Sequence, residues 1–223
     1  SMEILLSAKN ISKTFQGKKV LDDINIEIKG AEIIAISGAS GAGKTTLLNI
    51  LSTLDKPDDT NKSTLIIENQ EIFVLGKNDL ANLRNQKIGF VFQFHELIPE
   101  LSVLENVCLP GWIKKDNDVK KKAEELLKYF GLEDFTHKKP LTLSGGEKQR
   151  VAIARSLVNN PKIIFADEPT GNLDSKSGNE ILKFFAKLHK DGNTIIMVTH
   201  EESVAKLSKR RIDIFDGKIA RDE

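Results

Sequence analysis

A chain of 223 residues with 39% hydrophobic and 29% charged content can bury the core of one large domain or two small ones. A net charge of +1 argues against a polyanion-binding surface, and so against nucleic acid as a partner. The one cysteine, Cys108, has no internal disulfide partner and reads as a buried thiol of a reducing compartment.

Ile24, Ile26 and Ile28 alternate with Asn25 and Glu27, which predicts a strand with one buried face. The apolar run from Glu32 to Ile36 then leads into Gly38-Ala39-Ser40-Gly41-Ala42-Gly43-Lys44-Thr45, and Thr46 to Leu51 reads as a helix. Strand, glycine-rich loop and helix are the context in which the pattern G-x-x-x-x-G-K-[ST] cradles phosphate. Glycines let backbone N–H groups converge on phosphate oxygens, and the helix N-terminus adds partial positive charge. Lys44 suits the β- and γ-phosphates of ATP, and the Thr45 hydroxyl suits Mg²⁺. Residues Gly38 through Thr46 are therefore the candidate nucleotide cradle.

Asp58 to Lys62 reads as a polar loop. Leu65-Ile66-Ile67 and Glu71-Ile72-Phe73, joined by Glu68-Asn69-Gln70, predict a hairpin. Ile88 to Phe92 is a further strand candidate. A helix is expected from near Asp118 to Gly131, with Val119, Ala123, Leu126, Leu127 and Phe130 on one face. The basic cluster Lys114-Lys115 and Lys120-Lys121-Lys122, balanced by Glu124 and Glu125, reads as a solvated helix face. Val151, Ala154, Leu157 and Val158 mark a next helix; Ile181, Leu182, Phe184, Phe185 and Leu188 mark another, ended by Gly192. Ile163–Ala166 and Thr194–Val198 are apolar without alternation, as strands buried on both faces of a parallel sheet are. Asp216-Gly217 predicts a terminal hairpin. No apolar run reaches the ~18 residues needed to span a bilayer, and no cleavable leader is expected.

Three strand ends carry chemistry. Ile163–Phe165 leads to Asp167 and Glu168, which suit Mg²⁺ organisation and proton acceptance from attacking water. Ile195–Val198 leads to Thr199-His200, where an imidazole N–H can reach a γ-phosphate oxygen. Ile88–Phe92 leads to Gln93, whose amide can bind Mg²⁺ and orient water. Ser144-Gly145-Gly146 opens the Val151–Val158 helix and forms a second anion cradle, or a plain helix cap. Two phosphate-grade helix starts suggest two surfaces closing on one nucleotide, within one chain or between two.

Together these residues, with Leu143-Ser144-Gly145-Gly146-Glu147, resemble the ATP-binding subunits of ABC transporters over essentially the whole chain. The resemblance implies a single α/β domain of ABC-ATPase type over residues 1–223. It would comprise a P-loop core with mixed sheet and antiparallel β subdomain at about 1–93 and 161–223, and a helical subdomain at about 94–160. It implies a head-to-tail dimer holding two ATP, with Ser144 and Gly146 meeting the γ-phosphate on the opposite P-loop. Phe15 stands where the family stacks an aromatic, usually tyrosine, on adenine. Asp174, in Gly171-Asn172-Leu173-Asp174, matches the loop crossing the dimer interface, and Gln93 the residue linking nucleotide to membrane subunits. Phe92 to Leu101 and Leu104 to Val107 are similar to the Lol-type lipoprotein-releasing ATPases; Asp167 to Asp174 fits these and also macrolide exporters and the cell-division ABC ATPase. That resemblance implies an ATPase at the cytoplasmic face of the inner membrane, bound to integral membrane permease subunits. The apolar stretch Phe94–Leu104 is expected to form their docking surface, with Leu97 or Leu101 exposed. Pro57 leads into Asp58–Lys62 without the family's usual glycine.

Overall fold

The computed structural model describes residues 3–38 and 42–223. Ala39, Ser40 and Gly41 of the phosphate motif lie outside the described residues. In chain order the elements are β1 (Ile4–Phe15), β2 (Lys18–Lys29), β3 (Ile33–Ser37), α1 (Ala42–Leu51), β4 (Thr64–Ile67), β5 (Gln70–Glu71), α2 (Lys77–Lys87), β6 (Ile88–Val91), α3 (Val103–Ile113), α4 (Val119–Tyr129), α5 (Gly145–Leu157), β7 (Ile163–Asp167), α6 (Ser175–Lys190), β8 (Thr194–Val198), α7 (Glu202–Ala205), β9 (Arg210–Phe215) and β10 (Lys218–Asp222). They fall into two compact units, Ser1–Ala81 with Ala186–Glu223, and Asn82–Phe185.

The first unit contains an antiparallel sheet in the order β2-β1-β4-β5. Ile24, Ile26 and Ile28 are buried along β2 while Asn25 and Glu27 face outward, as the alternation predicts. Gln16 and Gly17 close the β1–β2 hairpin with positive φ (49° and 78°), the backbone a two-residue primed turn requires. The predicted β4–β5 hairpin forms, but its second arm stops at Glu71. Buried Ile72 still donates its N–H to Leu65 O at 2.8 Å, and the chain bends after it, with Leu75 N–H donating to Ile72 O at 3.1 Å.

The same unit holds the nucleotide-side strands. β3 pairs in parallel with β8 and β9, and β9 pairs antiparallel with β10. Every residue of β3 and β8 is buried, which accounts for their unbroken apolar runs. Leu47, Leu48, Ile50 and Leu51 anchor α1 in the core. The terminal hairpin turns at Asp216-Gly217 as predicted.

In the second unit β6 and β7 run parallel, Val91 opposite Ala166. Helices α3, α4 and α5 pack together, burying Val103, Val107, Ala123, Leu127, Phe130, Val151 and Ala154. α4 starts after Asp118 and ends at Tyr129, with Phe130 as its C-cap and Gly131 next at φ 71°. α3 begins with a capping box, in which Ser102 Oγ accepts from Glu105 N–H at 3.1 Å and Ser102 N–H donates to Glu105 Oε1 at 2.9 Å. It continues through Pro110. Helix α2 gives no sequence signal because Leu83 is its one buried residue.

Between β6 and α3 the chain has no regular element, in keeping with Pro99. Fully buried Asn106 holds this stretch: Oδ1 accepts from Ile98 N–H (2.8 Å), and Nδ2 donates to the carbonyls of Ile98 (3.0 Å), Leu101 (3.2 Å) and Ser102 (3.0 Å). Leu97 and Leu101 are half-buried, contrary to the expectation that one is exposed. The exposed apolar residue of the stretch is Phe94, at 67%.

Candidate nucleotide site

The register of the first unit brings the phosphate loop and His200 to one sheet edge. Ile36 of β3 lies opposite Val198 of β8, so Ser37-Gly38 and Thr199-His200 leave the sheet side by side. Thr199 N–H donates to Ile36 O at 3.0 Å. Gly38 and exposed His200 line a common cavity of about 330 Å³, with Ser37, Glu202, Arg211 and Asp213 among its other walls. Gly38 has φ 146°, and a Cβ there would collide with the Ile214 carbonyl. Only glycine fits where the chain leaves β3.

Lys44 is nearly buried, and its Nζ donates to Gly38 O at 2.9 Å. The lysine thus ties the two described ends of the loop. Thr45 is exposed and Thr46 buried. Gly43 lies close under β2: a Cβ there would stand 3.1 Å from Val20 O. Phe15 is half exposed at the tip of the β1–β2 hairpin, a position open to stacking.

A polar lattice backs this edge. Ser37 Oγ donates to Asp213 Oδ1, and Arg211 Nε reaches Ser37 Oγ at 3.3 Å and Asp213 Oδ1 at 3.4 Å. Arg211 also forks onto Glu202, with both N···O distances 2.7 Å. That hydrogen-bonded pairing holds the Glu202 carboxyl below its ordinary value and raises the guanidinium.

The second unit gathers the other candidates. Gln93 comes shortly after β6, Asp167 ends β7 and Glu168 follows it, so the parallel pair delivers them to the same edge. Glu168 adopts φ 46°, a left-handed conformation disfavoured for a residue with a side chain, and the chain turns there, Gly171 N–H donating to Glu168 O at 3.0 Å. The Gln93 amide faces this turn: Nε2 lies 3.4 Å from Asn172 Oδ1, and a Cβ on Gly171 would stand 2.6 Å from Nε2.

Ser144 caps α5. Its Oγ accepts from Glu147 N–H at 3.2 Å, while Ser144 N–H donates to Glu147 Oε1 at 2.8 Å. Ser144 and Gly145 are exposed at the helix start, as an anion cradle requires. Gly146 is buried instead, with space for a Cβ limited by Ser177 Cβ at 3.2 Å. Asp174 caps α6 by accepting from Ser177 N–H at 2.8 Å, and this backbone bond holds its carboxyl below the ordinary value. The signature segment and the Asp174 loop therefore touch, Gly145 also abutting Leu173.

Sequence reading missed Gln149, His95 and Arg155. Gln149 is fully buried on the face of α5 that also carries Gly146 and Ile153. A polar side chain on an apolar helix face was the available signal.

The ABC transporter family profile matches residues 21–171. The chain is 46% identical over 220 residues to the lipoprotein-releasing system ATP-binding protein LolD of Aquifex aeolicus, covering 98% of this chain and 97% of that one. It is 44% identical to the macrolide export ATP-binding/permease protein MacB of Escherichia coli, covering 99% of this chain and 35% of that protein. Its structure is similar, at a TM-score of 0.87 and 43% identity, to the dimeric post-hydrolysis structure of the ATP-binding cassette MJ0796 bound to ADP and Pi, covering 98% and 97% of the two chains. The chain belongs to the ABC transporter family, as one of its ATP-hydrolysing cassettes.

Proposed function

We propose that this cassette powers the release of lipoproteins from the inner membrane, as the peripheral ATPase subunit of a membrane complex at its cytoplasmic face. The observation that carries this reading is the 46% identity, over nearly the full length of both chains, to a lipoprotein-releasing ATP-binding protein. Among the described residues no helix is long and apolar enough to cross a membrane. The permease partner meets the face around exposed Phe94, next to Gln93.

In this reading Gly38 to Thr46 bind the phosphates of ATP, and Lys44 exchanges its bond to Gly38 O for phosphate oxygens. Phe15 stacks on adenine. The hydroxyl of Thr45, the carboxylate of Asp167 and the amide oxygen of Gln93 are hard oxygen donors of the kind Mg²⁺ takes, and these residues would hold it. Such an ion would supply neutralisation of phosphate charge when bound. Glu168 accepts the proton of the attacking water, Gln93 orients that water, and His200 donates to the γ-phosphate. Two copies pair head to tail, so that Ser144, Gly145 and Gly146 of one chain close on the nucleotide of the other and Asp174 crosses the interface. The domain is one ABC ATPase over residues 1–223, its helical part at about 94–160.

A second reading, macrolide export, is favoured by the 44% identity to the Escherichia coli exporter. Depletion of the chain in its native host separates the two. Lipoproteins should accumulate in the inner membrane. Normal lipoprotein sorting with lost macrolide resistance would select the second reading.

A further inference from the structure

Within the second unit, the segments carrying Gln93, Glu168 and Ser144 meet at one buried side chain. Gln149, on the helix that Ser144 caps, is fully buried. Its Nε2 donates to Phe92 O at 3.2 Å and to Pro169 O at 2.7 Å. Phe92 immediately precedes Gln93, and Pro169 immediately follows Glu168. Its Oε1 lies 2.9 Å from His95 Nδ1. Carbonyls only accept, so they fix the amide nitrogen in place. Oε1 is then the acceptor, and His95 Nδ1 carries the hydrogen. Both amide atoms of Gln149 are thereby engaged, as a buried polar group requires.

The partner is itself held under strain. His95 and Glu96 take φ 66° and 54°, consecutive left-handed residues that both carry side chains. Arg155, also on α5, donates from its two terminal nitrogens to His95 O (2.9 Å) and Glu96 O (2.8 Å). One helix thus grips the Gln93 loop through two side chains, Gln149 and Arg155, and the Glu168 turn through Gln149.

We propose that Gln149 is a positioning residue, clasped by His95, that locks the Gln93 loop and the Glu168 turn to the helix bearing Ser144 during ATP hydrolysis. The proposal rests on the roles given above to Gln93, Glu168 and Ser144. A buried amide that merely packed would cost stability when removed and leave the kinetics of folded protein alone. A positioning amide changes kcat at constant KM, since sub-ångström misplacement of water or base acts in the transition state.

The test uses the purified full-length chain, with steady-state ATP hydrolysis and thermal unfolding followed in parallel. His95→Phe keeps a ring and removes the donor to Gln149. His95→Asn keeps a donor near the Nδ1 position and tolerates the left-handed backbone. His95→Phe should lower kcat about tenfold or more with KM for ATP within about threefold, and His95→Asn should recover to within about threefold of the parent. Gln149→Met, if folded, should lower kcat further. Parent-like kcat in folded His95→Phe, a loss of kcat that merely tracks the unfolded fraction, or a raised KM at unchanged kcat overturns the proposal. Glu168→Gln run alongside separates the failures. Its normal turnover would sink the site reading itself, whereas inactive Glu168→Gln beside normal His95→Phe would sink only the clasp.

Discussion

Gly171 and Gln93 are in contact such that no side chain fits between them: a Cβ on Gly171 would stand 2.6 Å from Gln93 Nε2 and 3.0 Å from its Cδ. The turn after Glu168 thereby sets how far the Gln93 amide can advance. Gly171→Ala should displace the amide and lower kcat by about tenfold to a hundredfold, with ATP affinity nearly unchanged. Stopped-flow nucleotide binding beside steady-state turnover checks this; unchanged turnover would show that the contact is incidental.

Complementation between chains tests where the signature segment acts. Lys44→Ala removes the cation at the phosphate cradle, and Ser144→Arg fills the exposed start of α5 with a bulky side chain. Each variant alone should lose nearly all ATPase activity. Mixed heterodimers should regain activity from one rebuilt composite site if Ser144 acts in trans. No recovery on mixing would place both cradles in one chain.

Phe94 is 67% exposed although it neighbours a residue of the site. Phe94→Glu should leave the ATPase rate of the isolated chain within about threefold, because an exposed side chain contributes little to the core. Co-purification with the membrane subunits should fail, since a charge in an apolar contact is costly. Intact co-purification would move the docking surface elsewhere.

Asp58 supplies a pH-dependent tie between the loop after α1 and β1. It accepts from Thr14 N–H at 3.0 Å and from Thr14 Oγ1 at 2.8 Å. The backbone bond from Thr14 chiefly holds its carboxyl below the ordinary 3.8. A depressed carboxyl stabilises the fold above its unfolded pKa and loses that contribution as pH falls through the folded value. Asp58→Ala should therefore lower Tm at pH 7, and the difference from the parent should shrink below pH 3.8. A difference constant from pH 7 to pH 3 would assign the loss to packing alone.

Much of this architecture is legible from residue pattern alone, for identifiable reasons. β3, β8 and residues Ile163–Ala166 of β7 are buried throughout and largely apolar, and the chemistry-bearing residues follow where each run stops. Gly38 and Gly217 mark backbone that other residues cannot follow, and both stand in readable motifs. The failures have the opposite character. α2 buries little beyond Leu83, so no period marks it. The half-burial of Leu97 and Leu101 depends on Asn106, whose four backbone bonds reach back across a Pro-containing loop. The grip of Gln149 on Phe92 and Pro169 joins segments far apart in sequence, and no local pattern encodes it.

In the proposed reaction Glu168, at the left-handed turn just after β7, accepts the proton of the attacking water. Glu168→Gln keeps the shape of the side chain and removes its basicity. Single-turnover hydrolysis of bound ATP measures the consequence most directly, because it separates chemistry from binding. The rate should fall by about 10²–10⁴, with ATP retained on the protein as a stable dimer. Hydrolysis at the parent rate in folded, ATP-bound Glu168→Gln would contradict it.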